Sequence, residues 1–133
     1  MNDFDLIVSW VEENGFKIVF EPGIDGAIDP QEKIVCINSE RPEECNKYYL
    51  LHECGHMIIR SDYGFFKTKY AGRYSDNNDY YNLSLLSEEF DAWFEGKVLA
   101  NELQVHIDEK KWNTIMNRSL MEYATLISEG GMF

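Results

Sequence analysis

The sequence lacks the long apolar run that a membrane-spanning segment requires. Nowhere in its 133 residues do about 18 consecutive apolar residues occur. Its first residues, MNDFDLIVSWVEEN, also lack the basic start and the uninterrupted apolar stretch of a secretory signal. We therefore expect a cytoplasmic protein.

Cysteine is scarce, and its spacing excludes two kinds of scaffold. The chain has three cysteines, Cys36, Cys45 and Cys54, and no CxxC pair. An odd number of dispersed thiols does not form a disulfide framework, and it gives no cysteine-based zinc site. We expect reduced thiols.

Basic residues are half as frequent as acidic ones. Lysine and arginine number 12 against 24 aspartates and glutamates, which gives a net charge of -12. Such a surface does not support non-specific binding to nucleic acids or anionic membranes, since such binding needs basic patches. It either keeps the protein in solution or meets a basic partner.

The apolar content is sufficient for one packed domain spanning residues 1–133. Hydrophobic residues make up 44% of the chain and aromatic residues 14%. Apolar spacing and capping residues predict four helices, which lie near 3–14, from 39 or 42 to 60, from 84 or 87 to 103, and at 109–127. Two β-rich segments, 16–20 and 33–37, predict a small sheet. The expected class is α+β, mostly helical.

Residues 61–84 are predicted to be mostly loop, which is long for a compact domain. The segment carries seven aromatic residues that either line a peptide-binding cleft or pin the loop to the body: Tyr63, Phe65, Phe66, Tyr70, Tyr74, Tyr80 and Tyr81.

The informative motif is HECGH at residues 52–56, an HExxH pattern within a predicted helix. At about 100° per residue, His52 and His56 lie roughly 40° apart on the helix surface, one turn apart along it. Both imidazoles can therefore reach one metal ion. Glu53 lies beside them, where a carboxylate serves as general base rather than ligand. Cys54 points to the opposite side and is expected to pack in the core.

Two features strengthen the motif, which arises by chance in roughly one chain of this length in a few hundred. Two of the three histidines fall within it, and apolar residues flank it. Gly55 costs about 1 kcal/mol in a helix, which indicates close approach by another backbone. The alternative is an amphipathic helix with two solvent-facing histidines.

A zinc ion held by two histidines needs a third protein ligand. The next helix offers Glu88 and Glu89 beside a stripe of residues that could pack on the HExxH helix: Ala92, Gly96, Leu99 and Leu103. The two glutamates flank this stripe on opposite sides, each about 50° from its centre, so angle alone does not choose between them. They could also be first-turn acids that complement the helix dipole. His106 lies beyond the helix and is a poorer candidate.

The segment INSERPEECNKYYLLHECGHMII followed by EEFDAWFEGKVLA resembles the ImmA/IrrE family of small gluzincin-like metallopeptidases, particularly its short phage- and prophage-associated members. The similarity covers roughly residues 33–103. The family pattern places a glutamate three residues before an alanine, and Glu89 with Ala92 matches it. The resemblance therefore implies Glu89 as third ligand of Zn²⁺. Trp93 departs from the asparagine or aspartate that is common in the family.

The resemblance implies a minimal zincin-like domain and a zinc-dependent endopeptidase with Glu53 as catalytic residue. Family members typically cleave a narrow protein substrate such as a transcriptional repressor. No helix-turn-helix precedes the motif here, so we expect the partner to be a separate protein, such as a repressor encoded nearby. We expect the strand at 33–37 to pair with the substrate and a tyrosine of 61–84 to stabilise the oxyanion. The alternative is a non-catalytic zinc-containing acidic regulator that inhibits a host DNA-binding or defence protein.

Overall fold

The computed structural model describes residues 1–130, in which five α-helices surround a three-stranded sheet and the predicted α+β class is confirmed. The α-helices are α1 (Asp3–Glu13), α2 (Glu43–Arg60), α3 (Tyr63–Lys69), α4 (Asn78–Leu103) and α5 (Glu109–Ser128). The strands are β1 (Lys17–Glu21), β2 (Ala27–Asp29) and β3 (Ile34–Asn38), and a 3₁₀ turn covers Ala71–Tyr74.

The sheet places its most apolar strand in the centre. Its strand order is β1-β3-β2, with β1 parallel and β2 antiparallel to β3. Val35 and Ile37 of β3 are fully buried, which suits their β-branched side chains. Both sides of β3 are occupied by partners, whereas β2, among the described residues, is paired on one side and forms an edge of the sheet.

Local signals explain where the first helices begin and end. The Asn2 side chain accepts a hydrogen bond of 2.8 Å from the Asp5 amide and caps α1, and Gly15 follows its end at φ +83°. Pro42 precedes α2, whose first turn holds Glu43 and Glu44 where the helix dipole favours acids. These predicted boundaries are confirmed to within a few residues.

One apolar core joins the sheet to the helices. It contains fully buried residues from α1, β3, α2 and α4 together with Trp112 of α5. The indole of Trp112 meets that of Trp93 edge-on, with 5.2 Å between ring centroids. Ile115, Met116 and Leu120 of α5 are partly buried and pack against the same core.

Helices α2 and α4 meet through glycine. A Cβ built on Gly55 would overlap the backbone carbonyl of Ala92, and one built on Gly96 would overlap the carbonyl of Leu51. Gly55 thus has the backbone contact that its position predicts. The two helix backbones approach each other closely in this seam, which brings residues of α4 within reach of the HExxH motif.

Two sequence predictions of local structure are wrong. The segment 61–84 is not mostly loop, because it contains α3, the 3₁₀ turn and the start of α4. That helix begins at Asn78 rather than near Ser84 or Ser87, because the Asn77 side chain accepts from the Tyr80 amide at 3.0 Å. Ser84 is instead buried and accepts from the Gly72 amide at 3.1 Å.

Strand β2 was missed because it is short and lies between turn residues, with Gly23 and Gly26 at positive φ before it. The longest helix, α4, has 26 residues. Neither it nor any other helix within residues 1–130 combines the length and the apolar character needed to cross a membrane.

Candidate metal centre

The HExxH motif lies in the middle of α2, and its side chains are buried. His52 is 6% exposed and His56 7%, so the alternative of two solvent-facing histidines is wrong. Their ring centroids are 4.7 Å apart. One ligand atom each from His52, Glu53 and His56 lies within 4.8 Å of the others. The helical spacing therefore brings these side chains together as predicted.

Glu89 reaches across from α4 to both imidazoles. Its Oε1 lies 3.2 Å from Nε2 of His52, and its Oε2 lies 2.8 Å from Nε2 of His56. Ligand atoms around a tetrahedral zinc are roughly 3.3 Å apart, given bonds of about 2.0–2.2 Å. Two imidazole nitrogens and a carboxylate at these separations fit Zn²⁺ after shifts of a few tenths of an ångström.

Glu88, the neighbouring residue, has a different role from the one its sequence position suggested. It lies in the middle of α4 and is fully buried, so it is not a first-turn acid that complements the helix dipole. Its Oε2 accepts from Nδ1 of His56 at 2.7 Å and from Nε of Arg60 at 2.9 Å. Its Oε1 accepts from Arg60 at 3.1 Å and from Arg73 at 2.9 Å.

The contact with Glu88 sets the orientation of His56. An imidazole that donates its Nδ1 proton to a carboxylate presents the Nε2 lone pair to a metal. Burial disfavours the charged form of His56, but the hydrogen bonds to Glu88 and Glu89 outweigh burial and raise its pKa to about 10. Burial likewise opposes ionisation of Glu88, yet its bonds to His56 and Arg60 hold its pKa below the usual value.

His52 is positioned by stacking. Its ring lies 4.2 Å from the Trp93 ring at an interplanar angle of 22°. Its Nδ1 atom is buried and has no hydrogen-bond partner within residues 1–130. The departure from the family pattern at Trp93 therefore falls directly on a candidate metal ligand, where an aromatic ring takes the place of a polar side chain.

Glu53 has the surroundings of a general base. It is 5% exposed, and burial raises the pKa of its carboxyl. An ideal Cβ on Gly26 would lie 3.4 Å from Oε2 of Glu53, so the backbone before β2 runs close to this carboxylate. A carboxylate whose pKa is raised towards neutral is a more effective proton acceptor and donor. Cys54 is fully buried on the opposite side, as predicted.

A cleft of 390 Å³ opens over these residues. Its walls come from the start of β2, from α2 and α4, and from the second half of α5, which contributes Ser119, Glu122 and Tyr123. The Tyr123 hydroxyl donates a hydrogen bond to Glu89. Its pKa is raised mainly by burial and, to a smaller extent, by the nearby charge of Glu89. No sequence pattern pointed to Tyr123, because α5 lies far beyond the motif along the chain.

The aromatic residues of 61–84 lie elsewhere. None of the seven lines this cleft within the described part of the chain, so the expectation of an oxyanion-stabilising tyrosine there has no support. Phe66 and Tyr70 are buried and pin the segment to the body. From this segment Arg73 reaches the cleft. Arg41 also lines it, stacked 3.8 Å above the ring of Tyr49.

Comparisons with protein-family models, with curated proteins and with solved structures found no match to this chain.

Proposed function

We propose that this protein is a zinc-dependent endopeptidase that cleaves a specific protein partner. The observation that carries the proposal is the position of Glu89, whose carboxylate oxygens reach Nε2 of both His52 and His56. Glu53 lies beside these three side chains at the floor of an open cleft. Three ligands, a separate carboxylate and an open side are the parts that a catalytic zinc site needs.

The side chains have distinct roles in hydrolysis. His52, His56 and Glu89 would hold the zinc, which supplies a Lewis acid and lowers the pKa of a bound water towards about 7. Glu53 accepts a proton from the attacking water and passes it to the leaving amine. Glu88 holds the ring of His56 in place, and the stacked Trp93 does the same for His52.

The substrate enters along β2 rather than along β3. The strand at 33–37, which the sequence favoured for pairing with a substrate, is the central strand and has neighbours on both sides. Gly26, Ala27 and Ile28 form the wall of the cleft at the sheet edge. An extended peptide added to this edge passes Glu53 with its backbone held by strand hydrogen bonds.

The partner that the family resemblance implies is a transcriptional repressor or a comparable regulatory protein. A net charge of -12 favours encounter with a basic partner, as DNA-binding proteins usually are. Recognition of such a protein by surface charge would restrict cleavage to few substrates.

The metal is the first test. Protein purified without chelator and supplemented with zinc should hold about one zinc ion per chain, measured by elemental analysis. His52→Ala and His56→Ala should each lower the zinc content sharply, whereas His106→Ala, outside the site, should leave it near the wild-type value. Zinc content near zero in the supplemented wild-type protein would contradict the proposal.

The second test concerns Glu53. Glu53→Gln keeps the size of the side chain, but the amide cannot take a proton from water. The variant should therefore retain zinc and fail to hydrolyse a peptide mixture or a repressor encoded nearby. Cleavage by this variant at the wild-type rate would contradict the role of Glu53. A variant that still inhibits a partner at stoichiometric amounts would instead identify a non-catalytic regulator.

A further inference from the structure

A second groove, of 340 Å³, lies between the end of α1, the turn after β2 and the last turn of α2. Polar residues line part of it, among them Asn14 and Lys33, and its apolar part comes from five large side chains: Trp10, Phe16, Ile28, Met57 and Ile58. Four of these five are only half-buried in the fold, so the groove presents apolar surface to solvent. Its volume falls in the range of sites that take small ligands or single side chains.

This groove adjoins the metal cleft. Ile28 of β2 and Arg60 of α2 line both cavities. Glu53 and Met57 are separated by about 6 Å along α2 and by roughly 40° around it, given a rise of 1.5 Å and a turn of 100° per residue. Side chains on the same face of an extended peptide are separated by roughly 7 Å. A peptide whose scissile bond lies at Glu53 therefore places a side chain about two residues away over the groove.

The charges at the rim are already paired. The Lys33 ammonium lies 5.2 Å from the centroid of the Phe16 ring, and the Arg60 guanidinium is held by Glu88. Neither cation needs an acidic side chain as a partner. The remaining surface favours a large apolar occupant, since burial of one such side chain strengthens binding roughly 10- to 100-fold.

We propose that this groove is a specificity subsite for a large apolar side chain, aromatic or leucine-like, of the polypeptide that is cut at Glu53. The inference rests on the proposed peptidase function and adds the substrate class to it. Substrates then carry a bulky apolar residue at one fixed position, about two residues from the cleaved bond.

Direct binding tests the groove independently of catalysis. N-acetyl-phenylalanine amide at millimolar concentration should shift the methyl NMR signals of Ile28, Met57 and Ile58 in the zinc-loaded protein, and N-acetyl-aspartate amide should not. Ser61 lies exposed at the edge of the groove, so Ser61→Trp should fill it and abolish these shifts. Ser87→Trp, on the exposed outer side of α4, is the matched control and should retain them.

Cleavage specificity gives the second readout. A mixture of peptides cut by the zinc-loaded wild-type protein should show phenylalanine, leucine or a similar residue at one fixed position, favoured at least tenfold over alanine in kcat/KM. In Ser61→Trp this ratio should fall towards one. Cleavage without any such preference, or binding of the aspartate amide instead, would overturn the subsite and leave the peptidase intact. A zinc-loaded protein that cuts no peptide and no partner would overturn both.

Discussion

At the scale of single residues, Glu88 and Glu89 show how far one position along a helix separates two identical side chains. A turn of about 100° per residue directs Glu89 to the two imidazole Nε2 atoms and Glu88 to the outer nitrogen of His56. Glu88 also neutralises Arg60 and Arg73. In the proposed site, Glu89 would therefore bind the metal, and Glu88 would orient His56, another ligand.

Glu89→Ala should weaken zinc binding at least tenfold, a loss of about 1.4 kcal/mol or more, because it removes a donor from the metal. Titration against a chromophoric chelator measures this loss. An affinity equal to that of the wild type would show that Glu89 is not a ligand.

Glu88→Gln should have two effects. Loss of the carboxylate that orients His56 should lower zinc affinity about 10- to 100-fold. The free energy of unfolding of the zinc-free protein, measured by urea denaturation, should also fall by about 1–3 kcal/mol, because two partly exposed guanidinium groups lose their counter-ion. Glu102→Gln, exposed on the same helix, should change neither quantity. A zinc-free stability equal to that of the wild type would contradict the buried charge network. If Glu88 acted only on the helix dipole, its loss would cost only a few tenths of a kcal/mol.

The sequence predicts the site at this scale only where short-range geometry decides it. His52, Glu53 and His56 follow from helical spacing, and their mutual contacts need no other element. The choice of Glu89 depended on a family pattern, because the angular position on the helix did not distinguish Glu89 from Glu88 as a ligand. The network around Glu88 depends on how α2 and the 3₁₀ turn pack against α4, and the placement of Tyr123 depends on how α5 packs. Residue spacing does not predict such packing.

At the scale of elements, the seam between α2 and α4 positions Glu89, the proposed third ligand. Gly55 faces the backbone of Ala92, one helical turn beyond Glu88 and Glu89. Any side chain at position 55 would push α4 away and withdraw the Glu89 carboxylate from His52 and His56. The glycine that weakens α2 locally is therefore required by the geometry of the metal centre.

Gly55→Ala should destabilise the protein by about 1–3 kcal/mol or more, because the added methyl group meets backbone that cannot yield. Zinc content should fall as well. Gly64→Ala in α3 is the control, since its Cβ would make an ordinary contact of 3.6 Å with Asp62 and helix propensity favours alanine. Urea unfolding of both variants would decide the matter, and a Gly55→Ala protein as stable as Gly64→Ala would contradict the close seam.

Element boundaries were predictable where caps and apolar spacing agree, as for α1, α2 and α5. The start of α4 was missed because Asn77 and Asp79 belong to a polar run that is typical of loops, although Asn77 is its cap. Strand β2 was missed because three residues between turns carry no periodic signal. It forms only because β3 offers it a partner.

At the scale of the whole molecule, an acidic protein encloses a cleft lined by charges of both signs. Three arginines line the cleft, Arg41, Arg60 and Arg73, within a chain of net charge -12. A divalent cation entering this site must displace protons as well as fill a space, because neither histidine can bind through a protonated nitrogen.

Zinc binding should therefore release protons. The pKa of His56 is about 10, since its bonds to Glu88 and Glu89 outweigh the opposing effect of burial. Near neutral pH the zinc-free imidazole is thus charged, and apparent zinc affinity should rise with pH, about tenfold per unit for one displaced proton. Calorimetric titration in two buffers of different ionisation enthalpy would count the protons, and identical heats in both would contradict this expectation.

The close seam between α2 and α4 also determines how a polypeptide gains entry. Two walls of the cleft belong to helices locked together by backbone contact, and a third is the edge of the sheet. The fourth is the second half of α5, whose buried anchor, Trp112, lies near the opposite end of that helix. Since α2 and α4 cannot separate without breaking their backbone contact, we expect a polypeptide to enter, and its fragments to leave, by displacement of the second half of α5. This displacement would also break the hydrogen bond between Tyr123 and Glu89.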